Sequence, residues 1–243
     1  MEKHQQPQSS GFGARLVLAG VVHRDPEGPD RLWTFLATRR PQGVSVELSK
    51  YSLSFRRANR ERLGQVLDEN LKELARQRKL DGPEPLEVTG HVRSMRRAIG
   101  IPYEYEVAAS YCRRYDAQRE LVDLSRTSRD RLEELEELTS LANLTTLLAR
   151  PDLDRAAEAR RQRAVAKRLL AKKSLDSTDW PVAPDPDAAT REMHMERQIR
   201  QAINRSRCSL WIHVGGWEHL LAVEGRPTLY TRLVEMSPQR LLI

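Results

Sequence analysis

The sequence predicts an α/β protein, a central sheet flanked by helices and interrupted by an all-helical insertion. Three observations lead there. Residues 16–22, 44–48, 120–124 and 210–214 are short apolar runs bounded by polar or glycine signals, as expected of strands buried on both faces. Amphipathic stretches at helical spacing separate the first three runs. Residues 125–173 then carry a wholly helical, heavily charged pattern before the last run begins. The expected organisation is a flexible tail over 1–13, the first part of the core over 14–124, a helical insertion with its linker over 125–186, and the rest of the core over 187–243.

The tail, MEKHQQPQSSGFG, is polar and lacks the apolar stretch of a signal peptide or anchor. ARLVLAGVVH supplies the first strand, 15–22, and stops at His23. After a polar turn and a short amphipathic helix, PQGVSVELS forms the second strand, 43–48, with Glu47 at its end. Leu63, Val66, Leu67, Leu71, Leu74 and Ala75 line one face of a long helix over 53–79. Two prolines and a glycine in Asp81-Gly82-Pro83-Glu84-Pro85 end it, and 86–91 reads as a short extended piece. Beyond Gly100-Ile101-Pro102, a helix over 103–116 buries Val107, Ala108, Tyr111 and Cys112, and a third strand over 119–124 carries Asp123 at its end.

The insertion breaks at Arg150-Pro151 into two or three helices, the first using Leu132, Leu135, Leu138 and Leu141. Its apolar stripe is narrow, so the sheet is expected to form without it. The stretch 174–187, with three prolines and four acids, reads as a linker. A helix over 188–206 leads to the last strand, which enters Gly215-Gly216 as a turn. Residues 227–233 and 240–243 read as two further short strands.

Lys and Arg number 41 against 34 Asp and Glu, a formal charge of +7. The basic residues are interleaved with acids along helices and no basic run is interleaved with aromatics, so a solvated helical surface is expected rather than a nucleic-acid site. Cys112 and Cys208 are too few for a disulfide scaffold and fit free thiols in a reducing cytoplasm. The longest apolar run is far too short for a bilayer, so no membrane association is expected.

Ligands of open parallel sheets bind beyond the carboxyl ends of the strands, which makes His23 and Glu47 candidates for one site if a short crossover sets their strands side by side. Gly20 would let the backbone approach a ligand closely. His219 follows the last strand through the glycine pair and is preferred to Glu218, since neighbours in an extended chain point to opposite faces. His213 lies within that strand, in the core or supporting the site. Glu104 and Glu106 open a helix, where carboxylates are favoured electrostatically in any case, and Arg191 and Glu192 open the last helix. Two imidazoles and a carboxylate can act as base and orienting acid, or hold Mn, Fe, Co or Zn with a position left for water. Phosphate loops, serine elbows and His-Glu-x-x-His helices do not occur.

GVVH at 20–23, VSVELS at 44–49, REMHM at 191–195 and VGGWEH at 214–219 together resemble the TraB/PrgY and TIKI group, related to the EreA-like (erythromycin-esterase) and ChaN-like proteins. The helix opening at Tyr103 and LVDLS at 121–125 are similar to the group's middle section. That resemblance implies an α/β core with a helical insertion and a cleft at the strand ends. It further implies metal-dependent proteolysis, ester hydrolysis, or haem or iron binding. Carried over by residue, it assigns His23, Glu47 and His219 to catalysis and to the metal, with Glu106 or Glu104 as a helix acid. The expected function is a metal-dependent hydrolase of a small-molecule or peptide substrate, with a homo-oligomer left open. A non-catalytic ligand-binding or regulatory protein of the same fold is the alternative, and a basic helical scaffold for nucleic acid or protein is a third class.

Overall fold

The computed structural model describes residues 15–176 and 187–243. The expected tail and most of the expected linker lie outside the described residues.

The chain is an α/β protein, and among the described residues five strands form one parallel sheet. Its elements are β1 (Arg15–Val21), α1 (Gly28–Arg39), β2 (Gly43–Val46), α2 (Lys50–Gln77), α3 (Glu84–Glu87), α4 (Gly90–Ile99), α5 (Tyr103–Tyr115) and β3 (Gln118–Leu121). There follow α6 (Ser125–Glu133), α7 (Leu135–Leu138), α8 (Leu141–Leu147), α9 (Arg155–Leu170), α10 (Ala188–Arg205), β4 (Leu210–Gly216), a 3-10 turn (Trp217–Leu220), α11 (Leu229–Arg232) and β5 (Gln239–Leu242). Strand order is β3-β2-β4-β1-β5, so the four predicted strands share one sheet and β5 extends it.

Alternate residues of β1 feed the two faces, as the pleat requires. Val17, Ala19 and Val21 pack against Leu32 and Leu36 of α1 and Ala108 of α5, whereas Leu16 and Leu18 pack against Met195, Ile199 and Ala202 of α10. Helices on both faces explain why β1 and β4 read as continuous apolar runs. Among the described residues, no helix is long and apolar enough to cross a membrane.

The insertion is helical as expected, but its helices serve two places. Leu132, Leu135 and Leu144 of α6, α7 and α8 join Leu63, Leu67 and Leu71 of α2 in a cluster of their own. In α9, Ala159, Ala166 and Leu169 cover Val22, Trp217 and Leu221 at the end of the sheet.

Several local expectations are corrected. β1 and β2 are not neighbours, because β4 lies between them and pairs with both. Every residue of β4 after Leu210 is buried, and a strand apolar on both faces is most stable in the middle. Gly215 and Gly216 continue β4 in register with Gly20 and Val21, so they are strand and not turn. The piece over 86–91 is helical: Thr89 caps α4 by accepting from the Val92 N–H at 3.3 Å, so Thr89-Gly90 is a helix start. Residues 227–233 hold α11, opened by Thr228, whose side-chain oxygen accepts from Thr231 in a capping box. β3 ends at Leu121, which leaves Asp123 just beyond it.

Candidate active site

The register brings the ends of three strands together. Val46 lies beside Val214 and Val21 beside Gly216, so the residues that follow β1, β2 and β4 emerge on one edge. There they line a cleft of about 730 Å³ that includes His23, Glu47, Glu104, Asp123, Arg191 and His219. His23, Glu47 and His219 thus meet, although by a route that differs from the expected one. After Gly216 the chain coils into the 3-10 turn, which returns His219 toward Glu47. Gly20 serves this turn: a Cβ there would stand 2.9 Å from the Trp217 Cα, so the missing side chain admits protein backbone and not a ligand. Gly215 and Gly216 have a related role, since a Cβ on them would stand 2.8 Å from Glu47 Oε2 and 3.0 Å from His23 Nε2 respectively.

Glu47 is the centre of the network and its side chain is only 6% exposed. Its Oε1 accepts from an Arg191 Nη and lies 3.0 Å from His219 Nε2. Its Oε2 accepts from the Gly216 N–H at 2.6 Å and lies 3.9 Å from His23 Nε2. Arg191 also donates through Nε and Nη2 to the two oxygens of Asp123, at 2.6 and 3.0 Å. His219 Nδ1 meets Glu192 Oε1 at 2.6 Å, and His23 Nδ1 meets Glu104 Oε1 at 2.7 Å. The imidazole of His23 is half exposed to the cleft, whereas that of His219 is enclosed.

Four nearly buried carboxylates therefore surround one guanidinium and two imidazoles. Burial alone would lower the His23 pKa, but the hydrogen bond and charge of Glu104, helped by Glu47, raise it to about 9. Burial opposes protonation of His219 too, and Glu47 and Glu192 overcome it, so that imidazole holds its proton well above its ordinary range. Glu47 is the converse: burial would raise its pKa, yet His219 and Arg191 hold it well below the usual carboxylate range.

These shifts set a stability window. The proton on His23 is bound more tightly in the folded chain, so its contribution is complete below the ordinary 6.5 and lost as pH rises through about 9. Glu47 contributes above the ordinary 4.5 and loses its contribution as pH falls through its lowered value. The melting temperature is therefore expected to decline from about pH 6.5 to above about pH 9, and His23→Gln to flatten part of that decline. Thermal melts at a series of pH values check this, and a variant with the wild-type slope would contradict it.

His213 is enclosed behind the site and kept neutral by burial, its pKa falling to about 3. Its Nδ1 lies 3.1 Å from Ser45 Oγ, which also accepts from Trp211 Nε1 at 3.1 Å, so it supports the β2–β4 pair from the core.

The donor set bears directly on a metal. A cation needs lone pairs aimed at one point, but both His219 nitrogens face carboxylates and Arg191 places a fixed positive charge on Glu47. As arranged, His23, Glu47 and His219 do not fit a metal centre. Of the two candidate helix acids, Glu106, expected among the metal ligands, is exposed, whereas Glu104, two residues earlier on α5, is the one that meets His23. Among the described residues no group of three or more His, Cys, Asp or Glu is placed to hold an ion.

Sequence reasoning gave too little weight to Glu104, Arg191 and Glu192, each of which opens a helix where a charge needs no functional explanation. One signal was available: Arg191 and Glu192 start a helix that directly precedes the strand leading to His219. No family model matches the chain, and neither the curated proteins nor the solved structures yield a match to it.

Proposed function

We propose that the chain is a hydrolase of an ester or amide bond, with His23 as the general base that activates water. The observation that carries this reading is the hydrogen bond between Glu104 and His23 Nδ1, which leaves Nε2 at the cleft. A carboxylate on one ring nitrogen holds the tautomer whose other nitrogen can take a proton. In the proposed reaction, Nε2 removes a proton from water as its oxygen attacks the acyl carbon, and the imidazolium then returns that proton to the leaving oxygen or nitrogen. Glu47, 3.9 Å from Nε2, lowers the energy of the imidazolium in between. Arg191, His219 and the Gly216 N–H are positioning groups that hold Glu47 ionised. Because His23 must shed its proton first, kcat/KM is expected to rise with pH and level off above about 9.

The surplus of acids favours one second reading, a hydrolase that takes up a divalent cation in place of the imidazole protons. The motif resemblance to TraB/PrgY and TIKI proteins supports hydrolysis in either form.

A panel of small esters and short peptides, assayed with and without a chelator, tests the proposal. Turnover that survives chelation is the expected result; turnover lost to the chelator and restored by Mn or Zn would instead support the cation reading. No turnover by the folded chain would sink both and leave the non-catalytic ligand-binding alternative.

A further inference from the structure

Beside His23 the cleft adjoins a second cavity of about 390 Å³, lined by Arg24, Arg56 and Arg97 as well as by Glu104 and Tyr103. None of these three meets a carboxylate among the described residues. Arg56 donates to the Gly100 carbonyl at 2.8 Å, to the Ala98 carbonyl and to Ser52 Oγ, all neutral acceptors. Arg97 donates to the Arg24 carbonyl at 2.9 Å, and the Arg24 guanidinium makes no hydrogen bond or ion pair there.

A fourth guanidinium stands close by. Arg155 donates to Ser94 Oγ while its buried Nε has no partner among the described residues. Burial and the neighbouring guanidinium charges both act on the group. The pKa of Arg56 falls to about 10 through burial and then through Arg24, and that of Arg155 is lowered by burial, Arg24 and Arg97. Glu104 on Arg56 and Glu158 on Arg155 offset this only in part. Asp25 is taken by Arg31 and Arg163, Glu104 by His23, and Glu106 is exposed at the cavity.

At Arg24 the backbone φ of 62° lies in the left-handed region, as at Arg40 and Lys79, and the carbonyl accepts from Arg97. The Arg24 guanidinium stands beside the candidate base without a partner among the described residues.

We infer that this cavity binds a phosphate group carried by the substrate, beside the bond that His23 attacks. Its assignment to a substrate rests on the hydrolase reading; the binding of phosphate does not. Several guanidiniums without carboxylate partners match the charge of near −2 and the three acceptor oxygens of a phosphate monoester better than a single carboxylate, and planar guanidinium forks suit such oxygens. The size also fits, since the cavity has room for the group and a few further atoms.

Calorimetric titration of the full chain with inorganic phosphate at low ionic strength tests this. Arg24→Gln/Arg97→Gln is expected to weaken binding by at least about tenfold, the loss of two charge-assisted contacts. Arg60→Gln/Arg113→Gln, an equal charge change on exposed residues outside the cavity, should stay within about twofold, because screening removes distant charges. Should the first double variant fail to fold, Arg97→Gln alone is read, as that side chain is exposed and bonds only a carbonyl. Absent phosphate binding, equal weakening in both double variants, or acetate binding as tightly as phosphate would overturn the inference. Wild-type turnover separates it from the hydrolase reading: phosphate binding by a folded wild type that hydrolyses nothing sinks hydrolysis alone, whereas turnover with phosphate binding indifferent to the arginines sinks the phosphate site alone.

Discussion

His23→Gln is expected to lower kcat/KM by about 10²- to 10⁴-fold, the usual contribution of a positioned general base. The fold should persist. His23 lies past the end of β1 with its ring half exposed, so little apolar surface is lost, and the glutamine amide can still donate to Glu104. Exchanging an imidazolium–carboxylate contact for an amide–carboxylate one costs about 1–2 kcal/mol, well short of unfolding. His23→Ala is harsher, because it leaves the buried Glu104 carboxylate without its partner at a cost of roughly 1–3 kcal/mol more. Steady-state kinetics beside a thermal melt decide the matter. A glutamine variant that is folded and fully active would remove His23 from the reaction, and one that unfolds would make it a structural residue.

Arg191→Ala has the largest expected effect on stability. The guanidinium is 15% exposed and joins Glu47, 6% exposed, to Asp123, 10% exposed. Removing it leaves two enclosed carboxylates facing each other and the rest of the acid cluster, a loss of about 3–5 kcal/mol for one broken buried pair. In a chain of this size that corresponds to a fall in melting temperature of roughly 10 °C. Arg191→Lys should recover only part of it, since an ammonium cannot offer the two-nitrogen fork that Asp123 accepts. Urea unfolding of both variants measures the difference, and an alanine variant within about 1 kcal/mol of wild type would show the network to be incidental. Lower pH offers a cross-check: protonating the orphaned carboxylates should recover part of the lost stability in the alanine variant, because neutral acids no longer need the cation.

Much of the architecture was legible because it is written in local patterns. Val44 and Val46 beside Glu47 identify a strand and its end, and the leucines of α2 fall on one face whatever packs against them. Thr89-Gly90 was misread for an equally local reason: a threonine and a glycine after Val88 fit a strand edge as well as a helix cap, and only the neighbours that accept Gly90 at close range distinguish them. The position of β4 between β1 and β2 depends on which strand buries most surface against both neighbours, a property of the whole sheet.

The candidate site divides along the same line. His23, Glu47 and His219 were found because polar side chains stood where apolar strands stop, and in a parallel sheet those ends share an edge. Glu104 and Glu106 both open the same helix about 200° apart around its axis, and which of them faces the cleft is undecided until the helix has been docked on α1. Arg191 and Glu192 were equally ambiguous until α10 had been laid across the sheet.

By itself, then, the sequence determined the α/β class, the strands, most of the helices and three of the polar residues at the cleft, since each depends on the period of side chains along a few turns or pleats. Only the tertiary structure decided that β4 is central, that Glu104 orients His23, and that His219 and Arg191 are committed to Glu47. Hydrogen bonds and ion pairs act over a few ångströms, between residues that lie 27 to 169 positions apart in the chain. No local pattern encodes which of them meet.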